Sequence, residues 1–155
     1  TLIFSVKNTN LKLKIAGIGA AQQEIIDLIK NENILNVEML GFKNKKEIFI
    51  LTQEAAFAVC PSEWYENFPF SIAESFLFSK PVIGSNIGGI SELVIDGITG
   101  LLFEPGNVEE LRNKLLQLWS NEASTKAMGI AGRAHAYNLY NYDTHWNKIK
   151  TMLPV

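Results

Sequence analysis

Short apolar runs that end at glycine or proline alternate with segments of helical period along this chain, and that alternation leaves few folds open. Leu11 to Ala16, with Leu11, Leu13 and Ile15 in alternation, predicts a strand running into Gly17-Ile18-Gly19. A helix from about Ala21 to Asn31 comes next, with Ile25, Ile26, Leu28 and Ile29 as its buried face. A second strand, Val37 to Leu40, ends at Gly41 and leads to a helix from Lys45 to about Glu54, where Ile48, Leu51 and Ala55 share a face. Ala56 to Cys60 is the expected third strand, Pro81 to Gly84 a fourth and buried one, and Leu101 to Phe103 a short fifth. Asn107 caps a further helix signalled by Asn-Val-Glu-Glu, with Val108, Leu111, Leu115 and Leu118 on one face. Two more helical segments are expected, roughly Ser124 to Tyr137 and Tyr142 to Leu153. Strands alternating with helices predict an α/β fold, a parallel sheet flanked by helices on both faces.

At 155 residues and 47% apolar content the chain buries one sizeable core, so residues 1–155 read as a single domain. A net charge of −2 offers no electrostatic footprint for nucleic acid or an anionic membrane, and any phosphate binding must come from local geometry. One cysteine, Cys60, excludes an intrachain disulfide; it ends an apolar run and reads as a buried structural thiol. No charged segment followed by a short apolar one opens the chain and no apolar run is long enough to span a bilayer, so the expected compartment is the cytoplasm.

In an open α/β sheet the ligand crevice lies outside the carboxyl ends of the strands, and three unusual segments fall there: Gly17 to Gly19, Pro61 to Glu74, and Gly84 to Glu92. Within the second, Pro69 biases Phe68 away from helical geometry and separates a loop carboxylate, Glu66, from a helical one, Glu74. The helix start between them offers unpaired N–H groups to an anion. Each segment also has a purely structural reading. Gly17-Ile18-Gly19 is equally a tight strand-to-helix turn, and Gln22 stands where a dinucleotide fingerprint needs its third glycine. Ser71-Ile72-Ala73-Glu74 fits a capping box, which would turn Glu74 back on its own helix, whereas Pro69 as the first helical residue would face it to the crevice or the core. Trp64, Tyr65 and Phe68 around Glu66 suit a sugar-facing surface or an anchor to the core. Gly88-Gly89 reads either as a turn before a helix or as bare backbone for a substrate. Asp96 before Gly97 is a turn former, His135 and His145 are surface or packing residues, and no metal-ligand set, Walker lysine or Ser-His-Asp order is visible.

Taken together, six ordered segments resemble the C-terminal half of retaining glycosyltransferases of family four, which have the GT-B fold: Lys14-Ile15-Ala16-Gly17-Ile18-Gly19, Val37 to Phe42, Pro61 to Glu74, Lys80 to Gly84, Gly88 to Val94, and Asp96 to Leu102. The resemblance covers nearly the whole chain. It implies a Rossmann-like parallel sheet flanked by helices and a nucleoside-diphosphate sugar as donor, with a hexose passing to a glycan or lipid-linked acceptor. By the same resemblance, Glu66 contacts the transferred sugar and Glu74 the ribose, and Asn67, Phe68, Phe70 and Ser71 form the loop and helix start whose amides approach sugar and diphosphate. Gly17 and Gly19 lie beneath the nucleotide and Phe42 near the base. No metal or other cofactor is implied, and the full-length enzyme would work at the inner face of the membrane. Asn67 and Pro69 depart from the glycines common in the family. The family's basic pair has no counterpart here, and Thr1 to Val6 resembles the stretch just beyond that pair. The expectation is a fragment lacking its first strand and its N-terminal acceptor domain, inactive alone. Two other readings stand beside this one: a nicotinamide-binding Rossmann domain, and a non-catalytic GT-B-like domain that binds a glycan or a partner.

Overall fold

The computed structural model describes residues 1–139, 141, 143, 146, 147, 150 and 151. A five-residue helix, α1 (Leu2–Val6), opens the chain, and strands and helices then alternate as β1 (Leu13–Ala16), α2 (Gln22–Asn31), β2 (Val37–Gly41), α3 (Lys45–Glu54), β3 (Ala58–Cys60), α4 (Phe70–Leu77), β4 (Val82–Ser85), α5 (Gly88–Leu93), β5 (Gly100–Phe103), α6 (Val108–Ser120) and α7 (Glu122–Leu139). Pairing is parallel throughout, as the alternation predicts. It falls, however, into two sheets among the described residues: β1 with β2, and β3–β4–β5. Alternation alone predicts one sheet, and nothing in the strand pattern marks the break between β1 and β3.

β4 is the centre of the larger sheet and is buried at all four positions. Its side chains alternate between two cores, as the period of a strand requires. Ile83 joins Val6, Leu11, Leu101, Phe103, Leu111, Leu115 and Leu118 beneath α1 and α6, while Val82 joins Ile72, Phe76, Ile90, Leu93, Val94 and Ala136 beneath α4, α5 and α7. Local chemistry sets the helix boundaries. Asn44 caps α3 by accepting from the Lys46 and Glu47 amides, and Glu47 accepts in return from the Asn44 amide. Asn107 accepts from the Glu110 amide at the start of α6, while the Glu110 carboxylate reaches back to the Glu104 amide.

α2 and α3 carry no fully buried residue, although Ile25, Ile26, Leu28 and Ile29 of α2 and Ile48 and Leu51 of α3 are half-buried in the expected places. His135 packs edge-on against Phe76, its ring centroid 6.5 Å away, in keeping with a packing role. The helix expected from Tyr142 to Leu153 falls largely outside the described residues, as does His145.

α1 is fastened to α6 by one side chain. Arg112 donates through Nη2 to the Phe4 carbonyl at 2.7 Å and through Nε to the Ser5 carbonyl at 3.1 Å, so a cation meets the carbonyl end of a helix. Its contact with the exposed Glu109 is a surface ion pair. Arg112→Ala is therefore expected to destabilise the fold by about 1.5–3 kcal/mol in urea titration, since charge-assisted bonds are lost. Glu109→Ala should cost less than about 0.5 kcal/mol.

Candidate functional site

The carboxyl ends of β1 and β2 are drawn together by a bond from the Gly17 amide to the Gly41 carbonyl, 2.8 Å, which sets Gly17 beside Phe42. Gly17 has φ +136°, a conformation that side chains rarely adopt, so the turn itself requires glycine there. Gly19 has no such demand and no atom within 4 Å of where a Cβ would stand. Its outer side is open. Phe42 is likewise exposed.

Around β3 and β4 the second group of candidate residues is built with more constraint. β3 ends at Cys60, Pro61 comes next, and the 62–68 loop runs largely exposed until Pro69. Pro69 is the N-cap of α4, with no side-chain bond to the helix start, and Phe70 is the first helical residue. Ser71 is then the second helical position and Glu74 the fifth. The capping-box reading of Ser71 and Glu74 is therefore not what forms; Glu74 stands half-buried in the second turn, its side chain not spent on the helix end. Proline decides this, because its fixed φ suits the helix entrance while its ring blocks an earlier start. The Ile72 amide bonds the Pro69 carbonyl at 3.0 Å, but the Phe70 and Ser71 amides have no acceptor among the described residues.

Glu66 sits on this loop with its carboxylate exposed and the Ser62 hydroxyl 3.2 Å from Oε1. Its backbone is held from the other side. The Gly89 amide donates to the Glu66 carbonyl at 2.7 Å, and a Cβ on Gly89 would collide with the Asn67 carbonyl. Of the two readings of Gly88-Gly89, the structure bears out the helix start in the structural one, and the Gly89 amide is taken by the Glu66 carbonyl. α5 begins there, and the missing side chains let its first turn lie against the 65–67 backbone and fix where Glu66 and Asn67 stand. This positioning role is invisible in sequence, since the partner segment is some twenty residues away. Nor does the sequence pattern single out Ser62, four residues before the Glu66 it touches.

Asn67, Phe68 and Phe70 are exposed, with the two phenylalanine rings edge-on at 5.4 Å. Trp64 is 80% exposed and Tyr65 84%, so they do not anchor the loop to the core. Cys60 lies under the loop. Burial pushes its thiol above the ordinary range, the Glu66 carboxylate adds to the rise, and the Ser62 amide and Ser71 hydroxyl pull the other way. Thiol, carboxylate and helix start thus share one neighbourhood. Among the described residues no ion pair engages Glu66 or Glu74, and no three His, Cys, Asp or Glu side chains gather as metal ligands would. A cavity of about 640 Å³ lies elsewhere, between β1 and β3, and meets the crevice only at Ala16 and Pro61.

Two outcomes test this geometry. Gly89→Ala should destabilise the fold by about 1–3 kcal/mol despite alanine's better helix propensity, because the added methyl meets backbone that has nowhere to move; denaturant titration reads it. Glu66→Gln removes a negative charge near Cys60, which lowers the thiol's pKa and raises its thiolate fraction at about pH 8, so iodoacetamide should label Cys60 severalfold faster.

Comparison with known proteins bears on what such a site serves. A family model described as glycosyl transferases group 1 matches residues 3–135. An uncharacterised glycosyltransferase of Methanocaldococcus jannaschii is 35% identical over 132 residues, covering 85% of this chain and 37% of that protein. Glycogen synthase of Mycobacterium tuberculosis is 30% identical over 133 residues, 85% of this chain and 32% of that one. The chain thus spans about a third of the length of these relatives. Among solved structures, Anabaena HepE in complex with UDP-glucose superposes with a TM-score of 0.83 at 24% identity, over 97% of this chain and 42% of that one.

Proposed function

Because the chain belongs to the glycosyl transferases group 1 family and has the Rossmann-like fold of one half of a GT-B enzyme, we propose that it is the donor-binding domain of a retaining hexosyltransferase. The donor is a nucleoside-diphosphate sugar and the acceptor a glycan or lipid-linked glycan, met by a second domain outside residues 1–155. The observation that carries this reading is the start of α4: two amides without acceptors, between a loop carboxylate and a helical one, with the loop locked in place by Gly89.

Each part suits a different portion of such a donor. The Phe70 and Ser71 amides sit at the positive end of a helix, where phosphate oxygens are favoured. Glu74 accepts from ribose hydroxyls and Glu66 from those of the sugar, both as charge-assisted bonds. Asn67 and Phe68 border the sugar, Gly17 and Gly19 leave open space for the nucleotide, and Phe42 offers a ring face near the base. A helix end supplies only about half an elementary charge, too little to offset a departing diphosphate. Cationic side chains from outside residues 1–155 complete the charge, without a protein-bound metal. Isolated, the domain binds donor and does not transfer sugar. Support for the nucleotide class comes from relatives: a protein of this fold holds UDP-glucose, and a relative in sequence is a glycogen synthase.

Calorimetric titration with nucleoside diphosphates and their sugars, UDP-glucose first, tests the proposal. Saturable binding is expected, unchanged by EDTA. Glu74→Ala should weaken it by about 1.5–3 kcal/mol, roughly 10- to 150-fold. No binding at millimolar ligand by a folded protein would remove the donor site. Tighter binding of NAD would favour the nicotinamide reading, and an unchanged Glu74→Ala affinity a domain that binds something else.

A further inference from the structure

Glu66 is held at both of its ends. Its carbonyl accepts from the Gly89 amide at 2.7 Å, and its carboxylate, on the exposed stretch of the loop, is met by the Ser62 hydroxyl 3.2 Å from Oε1. A glutamate side chain on an open loop is free about several bonds, so without a restraint its carboxylate has no fixed place. Ser62 can supply that restraint because it is itself tied down. It stands two residues beyond the end of β3, after Pro61, whose ring fixes its own φ, and its amide bonds the Cys60 sulfur. Ser62 is half-buried, whereas residues 63–68 are exposed.

The direction of the hydroxyl follows from its inventory of one proton and two lone pairs. The Trp64 amide donates to Ser62 Oγ at 3.3 Å and occupies a lone pair. Two acceptors are then in reach of the proton, Glu66 Oε1 at 3.2 Å and the Trp64 carbonyl at 3.3 Å. The ionised oxygen is the stronger acceptor, and the bond from the amide polarises the O–H further. A directed chain results: Trp64 N–H to Ser62 Oγ, and Ser62 O–H to Glu66 Oε1. An ionised carboxylate accepts about four bonds, so the one from Ser62 engages Oε1 and leaves Oε2 open.

We infer that Ser62 is a positioning residue for Glu66: its hydroxyl holds Oε1 against the end of β3 and leaves Oε2 as the oxygen offered to a sugar hydroxyl. The use on a sugar rests on the donor-binding reading; the hold on the carboxylate does not. Ser62 acts through Glu66 and not on a donor itself. Its effect is therefore confined to the sugar, because the groups offered to the nucleoside diphosphate, the Phe70 and Ser71 amides and Glu74, stand on α4. The competing structural role, a hydroxyl that only closes the 62–64 turn, uses the bonds to Trp64 and has no need of the carboxylate.

Two measurements on the intact protein test the inference, the first without any donor. The Glu66 carboxylate opposes ionisation of the Cys60 thiol, so a carboxylate released from Ser62 into solvent opposes it less. With iodoacetamide at about pH 8, and mass spectrometry of the peptide holding Cys60, Ser62→Ala should label severalfold faster than wild type. Ser62→Thr, which keeps the hydroxyl, should label at the wild-type rate, and Ser62→Ala should add nothing in a Glu66→Gln background. An unchanged rate in Ser62→Ala overturns the inference. So does an equal acceleration in the Glu66→Gln background, which reports an opened turn. In calorimetry Ser62→Ala should weaken UDP-glucose about 3- to 10-fold and leave UDP unchanged. No loss for UDP-glucose, or an equal loss for both, overturns the role on the sugar. Binding of neither by the wild-type protein removes the donor-binding reading instead, and the labelling then decides whether Ser62 holds Glu66.

Discussion

Parallel strand pairing is the constraint on which the other features of this domain depend. Two parallel strands cannot be joined by a tight turn, so each strand must hand the chain to a segment that returns it, and here a helix does so after β1, β2, β3 and β4. Every strand end then lies on the same edge. Within each sheet this sets the strand ends side by side: Gly17 after β1 lies beside the end of β2 before Phe42, and Glu66 after β3 lies beside Gly89 after β4, though the members of each pair are more than twenty residues apart in sequence. The core enforces the arrangement, because β4 can bury both faces only with helices on each side, and its neighbours must share its direction.

Elements of strong period were legible in the sequence to within a residue or two. α3 runs from Lys45 to Glu54 as its pattern predicts, and the Asn107 cap forms. These depend on contacts a few residues long. What was not legible depends on partners distant in sequence. α1 is too short to show a helical period and is held by Arg112, over a hundred residues away. The gap between β1 and β3 is a property of which edges meet, and residue alternation reports faces, not edges.

The candidate site divides in the same way. That Glu66 and Glu74 stand on either side of a helix start was readable from Pro69 alone, and proline also settles the rivalry between a capping box and an unspent Glu74. The place of Glu66 in space is set by Gly89, whose amide holds the Glu66 carbonyl and whose missing Cβ admits the Asn67 carbonyl. Two glycines in a row carry no sign of what they approach. A turn, an open surface for ligand and a tight seat for another loop all use the same residue for the same steric reason.

Backbone and side chains of the loop differ in how far they are ordered before any ligand arrives. The Phe70 and Ser71 amides are fixed by the helix and the 65–67 segment by α5. Of the loop's aromatic side chains, Trp64 and Tyr65 stand in solvent. If the site takes a donor as proposed, the groups offered to its phosphates are thus preorganised and lose little freedom on binding, whereas loop side chains offered to its sugar must be ordered at that moment, at about 0.5–1.5 kcal/mol each. In such a site, affinity for the part common to all nucleotide donors resides in backbone that any sequence folding this way provides. Under the same proposal, discrimination among sugars would reside in the loop side chains, whose cost of ordering would make weak partners weaker and leave the choice of sugar to a few exposed residues.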